Sequence, residues 1–507
     1  MLVKMFGVFL KGIKSHIISI EIRITRGYKY YFIGLVDQSI KEAIHRIESA
    51  LIQLEYKMPR QKLVISLLPI DVKKSGSQFD LPIAIGILIA SKQLVLPNSM
   101  DYLLIGGLSL DGKVLPVKGI LSTLIEAKNS SIKGVVLSKE CKDEIPIAMD
   151  FDLILVDTLQ DVIDYLKGIP SGWQRFNSII PPIFTPEEKP DLIFELKGQS
   201  QALRMLEIAA TGKHHVLLIG PPGSGKTYLA NYYPHFFPDL TWEEAWESWT
   251  LYSVSGKSQV YSKSLKKPFR NPHHTLTVGA LIGSGAYPLP GEISLAHHGV
   301  LFLDEIAEFK RNVLEALRDP LESKQVVIAR AKETYVFPAN FLLIAAMNPC
   351  PCGYYRQTQK RCTCSKTQIQ NYLNKISGPL LDRIDLQLEV PLVKNLELKR
   401  TDSQVDLSKM KDKISKSQLF AKEILIDKHI ETSRELNSTD LIKFDLIHKE
   451  GIEYLHEKLK TQQVSARSYE KILRVAWTIA YIERNEQVFP NHIAEAIAYR
   501  ALDQFFQ

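Results

Sequence analysis

His215-Val-Leu-Leu-Ile-Gly220-Pro-Pro-Gly-Ser-Gly-Lys226-Thr227-Tyr-Leu-Ala230 decides the fold. A short apolar run, His215 to Ile219, reads as a buried strand, and Tyr228-Leu-Ala opens a helical pattern. Between them, Gly220, Pro221, Pro222, Gly223, Ser224, Gly225, Lys226 and Thr227 make a glycine-rich loop in the context that phosphate binding requires. Glycines let backbone N–H groups converge on phosphate oxygens, and the helix N-terminus adds its positive end. Lys226 is expected to reach the β and γ phosphates, and Thr227 to hold Mg²⁺.

Two further apolar runs follow the same plan. Val300-Leu-Phe-Leu-Asp304-Glu305 ends in two acids, with Asp304 suited to Mg²⁺ coordination and Glu305 to polarising an attacking water. Phe341-Leu-Leu-Ile-Ala-Ala ends in Met347-Asn348, which places a neutral polar side chain where it could orient water against a γ-phosphate. Strands alternating with helices between residues 191 and 393, each strand followed by a polar or glycine-rich turn, predict a parallel sheet with functional loops at the strand ends. Beyond, Leu380-Leu-Asp-Arg383-Ile-Asp and Ser465-Ala-Arg467-Ser468 each set an arginine in apolar surroundings. Pattern alone leaves both open as structural ion pairs, Asp382 and Asp385 being the obvious partners of Arg383.

At 507 residues the chain is long enough for two to four cores. Residues 1–168 mix period-two runs (Leu63 to Leu68, Tyr102 to Ile105, Gly134 to Leu137, Leu153 to Val156) with a helical pattern from Gln38 to Leu54, predicting an α/β or α+β domain. Residues 169–190 are proline-rich and aperiodic, as in a linker, and residues 394–507 are nearly all helical in period. The opening stretch reads as strands, because Lys11 and Lys14 interrupt its apolar run and no small-residue cleavage site follows. The longest apolar stretch, Leu81 to Ala90, is roughly half of what a bilayer needs, which predicts a protein with no membrane span. Four of the five cysteines crowd between Cys350 and Cys364, unlike a disulfide framework, so a cytoplasmic, reducing location is expected.

The order Gly220 to Thr227, Asp304-Glu305, Asn348, Arg383 and Arg467 resembles that of the AAA+ ATPases. The resemblance makes these Walker A, Walker B, sensor 1, arginine finger and sensor 2. Pro268-Phe-Arg-Asn-Pro-His-His-Thr275, Pro290-Gly-Glu-Ile-Ser-Leu-Ala-His297 and Ile376-Ser-Gly-Pro-Leu-Leu-Asp-Arg-Ile-Asp385 resemble the magnesium-chelatase-like branch. Within it, the whole chain is similar to competence-associated bacterial proteins implicated in branch migration of recombining DNA. The resemblance implies a central P-loop core with a C-terminal helical lid, and a homo-hexamer with ATP between subunits. Arg383 would then act on a neighbour's nucleotide and Arg467 on that of its own subunit. Gly107-Leu-Ser-Leu-Asp-Gly-Lys-Val-Leu-Pro-Val-Lys-Gly119 and Asp71 to Asp80 resemble the Lon-type protease domain with its ribosomal-S5-like fold. Against the Lon pattern Gln78 takes the nucleophile position, Ser77 falls one place early, and Leu121 or Thr123 stands where the lysine belongs. A serine without its base is inert, so the domain is expected to be non-proteolytic.

Cys350, Cys352, Cys362 and Cys364 supply four thiolates within fifteen residues, enough for one structural Zn²⁺. Around them, the forty-eight residues from 334 to 381 carry no acid, while Arg356, Lys360, Arg361, Lys366 and Lys375 mix with Tyr354, Tyr355 and Tyr372. Gly256 to Thr275 is also acid-free and carries Lys257, Lys263, Lys266, Lys267 and Arg270. Basic residues among aromatics suit a phosphate backbone and stackable bases. The expected function is an ATP-hydrolysing motor on branched or single-stranded DNA, a helicase or branch-migration enzyme that works with recombination proteins. A magnesium-chelatase-type subunit and a protein remodeller are the competing readings.

Overall fold

The alternating runs at the start of the chain pair as an antiparallel hairpin, Leu2–Lys11 with Lys14–Thr25, in register Lys11↔Lys14. The structure is a computed structural model that describes residues 2–96, 101–146, 149–176, 193–195, 199–257, 265–285, 287–330, 333–357, 360–392, 404–426, 436–460 and 466–500. Its contacts divide the chain into two compact units, Met1–Glu187 with Ala245–Ser264, and Glu188–Glu244 with Leu265–Gln507. The segment 245–264, which the strand–helix alternation between 191 and 393 assigns to the central core, groups with the first unit. Most of the linker expected at 169–190 lies outside the described residues.

In the first unit an eight-stranded mixed sheet runs in the order Gln174–Arg175, Asp152–Val156, Gly134–Ser138, Tyr102–Leu104, Leu2–Lys11, Lys14–Thr25, Lys62–Leu68, Tyr30–Ile33. The apolar stretch at Leu81 forms the helix Asp80–Ala90, in which every residue but Ile89 is buried. That burial explains its lack of a polar face: it is a core helix, packed against the sheet and the helix Gln38–Gln53. At its first residue, buried Asp80 takes two hydrogen bonds from Arg46, Nε at 2.7 Å and Nη2 at 3.0 Å. Burial raises the Asp80 pKa, and the Arg46 hydrogen bond and charge pull it back only in part.

The second unit is built on a five-stranded sheet, entirely parallel, in the order Phe269–Arg270, Val300–Leu303, Leu342–Met347, Val216–Ile219, Leu386–Glu389. All of Val216–Ile219, Val300–Leu303 and Leu342–Met347 are buried, as strands covered on both faces must be. The register Ile219↔Met347 and Leu303↔Ala345 brings the ends of these three strands together. Helices dominate residues 404–500, the longest being Leu407–Leu425 and Ala466–Ile482, and Trp477 and Tyr481 share one apolar core with the sheet. A strand in this otherwise helical region, Gln404–Asp406, pairs with Ile193–Glu195. Among the described residues no helix is long and apolar enough to cross a membrane.

Candidate nucleotide site

The loop after Val216–Ile219 turns into the helix Lys226–Tyr232 through Gly225, which caps it at φ +86°, a left-handed conformation that glycine adopts without strain. A buried neighbour holds the turn: Gln199 Nε2 donates to the Ser224 carbonyl at 2.5 Å. The Lys226 ammonium is buried and donates to the carbonyls of Gly220 at 2.7 Å and Pro221 at 2.9 Å, and to Asn348 Oδ1 at 3.3 Å. Burial lowers its pKa, while the charges of Asp304 and Glu305 act the other way. Thr227 Oγ1 donates to Asp304 Oδ2 at 2.7 Å, so the two expected Mg²⁺ ligands already touch. Glu305 adopts φ +50° directly after the strand, and its N–H donates to Asp304 Oδ1 at 2.9 Å. The left-handed turn leaves its carboxylate exposed, with His274 Nδ1 3.9 Å from Oε2.

Lys226 is therefore hydrogen-bonded to Asn348 and its chain neighbour Thr227 to Asp304, with Glu305 next to Asp304 in the chain. The other two expected groups have different partners. Arg383 is held within its own chain, Nη2 against Glu322 Oε1 at 2.8 Å, Nε donating to the Arg318 carbonyl at 3.0 Å and Nη1 to the Pro379 carbonyl at 2.6 Å. Neither Asp382 nor Asp385 takes it. Arg467 lies exposed, 3.9 Å from Asp382 Oδ2. Asp385 is instead buried, accepting from the His215 N–H at 2.9 Å and paired with Lys471 at 3.3 Å. Burial alone would raise its pKa, but the Lys471 charge and the His214 hydrogen bond hold it well below the usual carboxylate range.

Gln199 and His274 are the contacts that residue-by-residue reading assigned no role. Pro-His-His-Thr was visible as a motif, but only folding sets His274 beside Glu305. The basic segments also separate. Lys267 pairs with Glu244 at 3.7 Å and Arg270 donates to Glu292 at 2.6 Å, so acid-free in sequence is not acid-free in space. Lys263 lies outside the described residues. Arg356, Lys360, Arg361 and Lys366 are exposed, with Lys360 4.4 Å over the Tyr354 ring and Arg356 5.5 Å over that of Tyr355.

Family models of the magnesium chelatase subunit ChlI match residues 20–141 and 192–398, and a model of its C-terminal part matches 408–500. Competence protein ComM of Haemophilus influenzae is 37% identical over 501 residues, 98% of this chain and 97% of its own length. The chain belongs to the magnesium-chelatase-like ComM/YifB family. YifB of Escherichia coli, another relative, is 38% identical over 494 residues, 97% of this chain and 96% of its own. A more distant match is the DNA replication licensing factor mcm6 of Dictyostelium discoideum, 25% identical over 63% of this chain and 34% of its own length. ATP and Mg²⁺ are the general cofactors of the AAA+ class to which the ComM/YifB family belongs. The loop fits them: an ammonium aimed into it, Gly223 and Gly225 at the left-handed φ values of +79° and +86°, and a Thr–Asp pair at its edge.

Proposed function

We propose that this protein is an ATP-hydrolysing AAA+ motor that works as a homo-hexamer on DNA, in branch migration or unwinding during recombination of incoming DNA. The observation that carries the ATPase is the two hydrogen-bonded pairs Lys226–Asn348 and Thr227–Asp304 at the ends of adjacent parallel strands. In that reading Lys226 would neutralise the transferring phosphate, Thr227 and Asp304 would hold the Mg²⁺, which would supply positive charge there, and Asn348 would orient water. Glu305 accepts a proton from the attacking water as ATP and water become ADP and phosphate. Arg383 would complete a neighbour's site after leaving Glu322, and Arg467 would serve from the helical lid, residues 394–507. The first unit would be a non-proteolytic Lon-like domain, and the compartment the cytoplasm.

The DNA assignment rests on the names of the relatives and on the exposed cations and tyrosines at 354–366. It is tested by ATP turnover of assembled protein with and without branched or single-stranded DNA. DNA is expected to raise the rate, and its affinity to fall steeply with salt. Glutamine at Arg356, Lys360 and Arg361 should flatten that salt slope by up to about 3, near 0.9 per phosphate contact, and abolish stimulation. The ChlI family models favour a second reading, an ATPase subunit for metal insertion into a porphyrin. A rate that responds to porphyrin and ignores DNA at low salt would decide for it, and a rate that responds only to protein clients would mean a remodeller.

A further inference from the structure

The strand carrying Asn348 runs directly into Cys350, and the chain from there to Cys364 brings four sulfurs to one point. Cys350 and Cys352 Sγ are 3.4 Å apart, Cys352 and Cys362 3.5 Å, Cys350 and Cys362 3.7 Å, and all four sulfurs lie within 4.8 Å of one another. Four thiolates at about 2.3 Å around a tetrahedral ion sit about 3.8 Å from each other. These spacings are too long for disulfides and too short to enclose more than one metal atom. Backbone N–H groups point at the sulfurs, Cys364 N to Cys362 Sγ at 3.4 Å, Tyr354 and Tyr355 toward Cys350, Thr363 toward Cys352. Such donors orient and stabilise thiolate ligands. Four thiolates on a divalent ion leave a charge of −2, and the exposed Arg356, Lys360, Arg361 and Lys366 of the same stretch offset it.

Both ends of this loop touch the nucleotide site. Gly353, at φ +84°, packs so closely on the Pro222 ring that a Cβ there would lie 2.5 Å from Pro222 Cδ. After Cys364, a capping box between Ser365 and Gln368 starts the helix Lys366–Leu373, whose buried Tyr372 turns its hydroxyl toward the Asn348 backbone. We propose that Cys350, Cys352, Cys362 and Cys364 bind one Zn²⁺ per chain, and that this clip positions Pro222 and Asn348 for ATP turnover. The metal site stands on the sulfurs alone, whereas the second half rests on the ATPase reading.

The test uses full-length protein prepared reduced. Elemental analysis should find about one zinc per chain, and Cys352→Ser/Cys364→Ser less than about a tenth of that. ATP turnover in the double variant should fall about tenfold or more, as when metal-supporting contacts are lost, with nucleotide binding retained. Gly353→Ala keeps all four cysteines, strains the backbone at φ +84° and pushes on Pro222, so the fraction of the variant that elemental analysis shows to hold zinc should lose a similar part of the rate. Chelation of the wild type, followed by zinc, should remove and restore activity should the double variant fold poorly. Amide exchange at 220–225 and 348–373 should rise when zinc is removed, a readout independent of catalysis. Reduced wild type without metal overturns the site. Zinc-free protein with unchanged exchange at 220–225 overturns the coupling. Zinc-loaded protein that hydrolyses no ATP defeats the ATPase reading and leaves the metal count and exchange to decide the rest.

Discussion

The loop at Gly220–Thr227 in the second unit and the segment Ser77–Asp80 in the first both sit among polar side chains, and they hold those groups differently. In the second unit Lys226, Asn348, Thr227 and Asp304 come from three strand ends and converge on one loop with an exposed carboxylate beside it. In the first, Thr123, at a position the Lon resemblance gives to lysine, is occupied by Ser15 Oγ at 3.1 Å and the Gly119 carbonyl at 3.1 Å. The nearby Lys74 is buried, with its ammonium donating to the carbonyls of Leu67 and Pro69. Asp80 is tied up by Arg46. Both lysines donate to backbone carbonyls, and the difference lies in access: Glu305 stands exposed beside the second-unit residues, whereas Thr123, Lys74 and Asp80 are all buried.

The sharpest way to break that comparison is Arg383→Ala. An arginine acting in trans contributes on the order of 10³-fold or more to turnover, so the variant should be nearly inactive alone. Mixed with Lys226→Ala subunits it should regain measurable turnover, because each supplies what the other lacks. Mixed rings, verified by labelled subunits, that stay inactive would make Arg383 a structural partner of Glu322.

Next comes Glu305→Gln, expected to lower turnover by about 10²–10⁴-fold while nucleotide still binds. Lys226→Ala should weaken nucleotide binding itself, since it removes the ammonium from the cradle. Equal loss of affinity in both would contradict the assigned roles.

In the first unit the corresponding cut is Arg46→Ala, and its effect falls on stability. Leaving Asp80 buried without its partner should cost about 3 kcal/mol, the low end for a broken buried pair because Arg46 keeps a quarter of its side chain exposed. Denaturant unfolding of this unit, with ATP turnover compared, checks it. A loss under 1 kcal/mol would mean that Asp80 is neutral in the fold.

Asp385 gives a pH-dependent contrast. Its folded pKa lies below the ordinary 3.8, so on acidification the unfolded chain takes up that proton first. The contribution is therefore complete above the ordinary value and is lost as pH falls through the folded one. Asp385→Asn should flatten the acid limb of unfolding of the second unit, and an unchanged limb would refute this account. The smallest effect is expected from Ser77→Ala, which should change neither ATP turnover nor any trace of peptide cleavage, and a serine-dependent cleavage lost in the variant would reverse the reading of the first unit.

Much of the candidate nucleotide site was legible because each piece is local. A buried strand, a glycine-rich turn and a helix start are written within sixteen residues, and the runs ending at Asp304 and Asn348 follow the same grammar. The cysteine quartet is local too. What reading along the chain could not supply were partners far apart in sequence, such as Glu322 for Arg383, Glu292 for Arg270 and Gln199 for the Ser224 carbonyl. Two segments without acids looked alike as text, yet folding brought Glu244 and Glu292 to one and left the cations at 356–366 of the other exposed.

The sequence by itself determined the strands, the glycine-rich loop and the residue types available at the strand ends, because hydrophobic period and glycine placement act over a few residues. Tertiary structure alone decided that Thr227 meets Asp304, that Asn348 meets Lys226, and that Gly353 rests on Pro222. Those contacts depend on the order and register of parallel strands joined by long crossovers. That order is set by how the whole core packs, not by any neighbour in the chain.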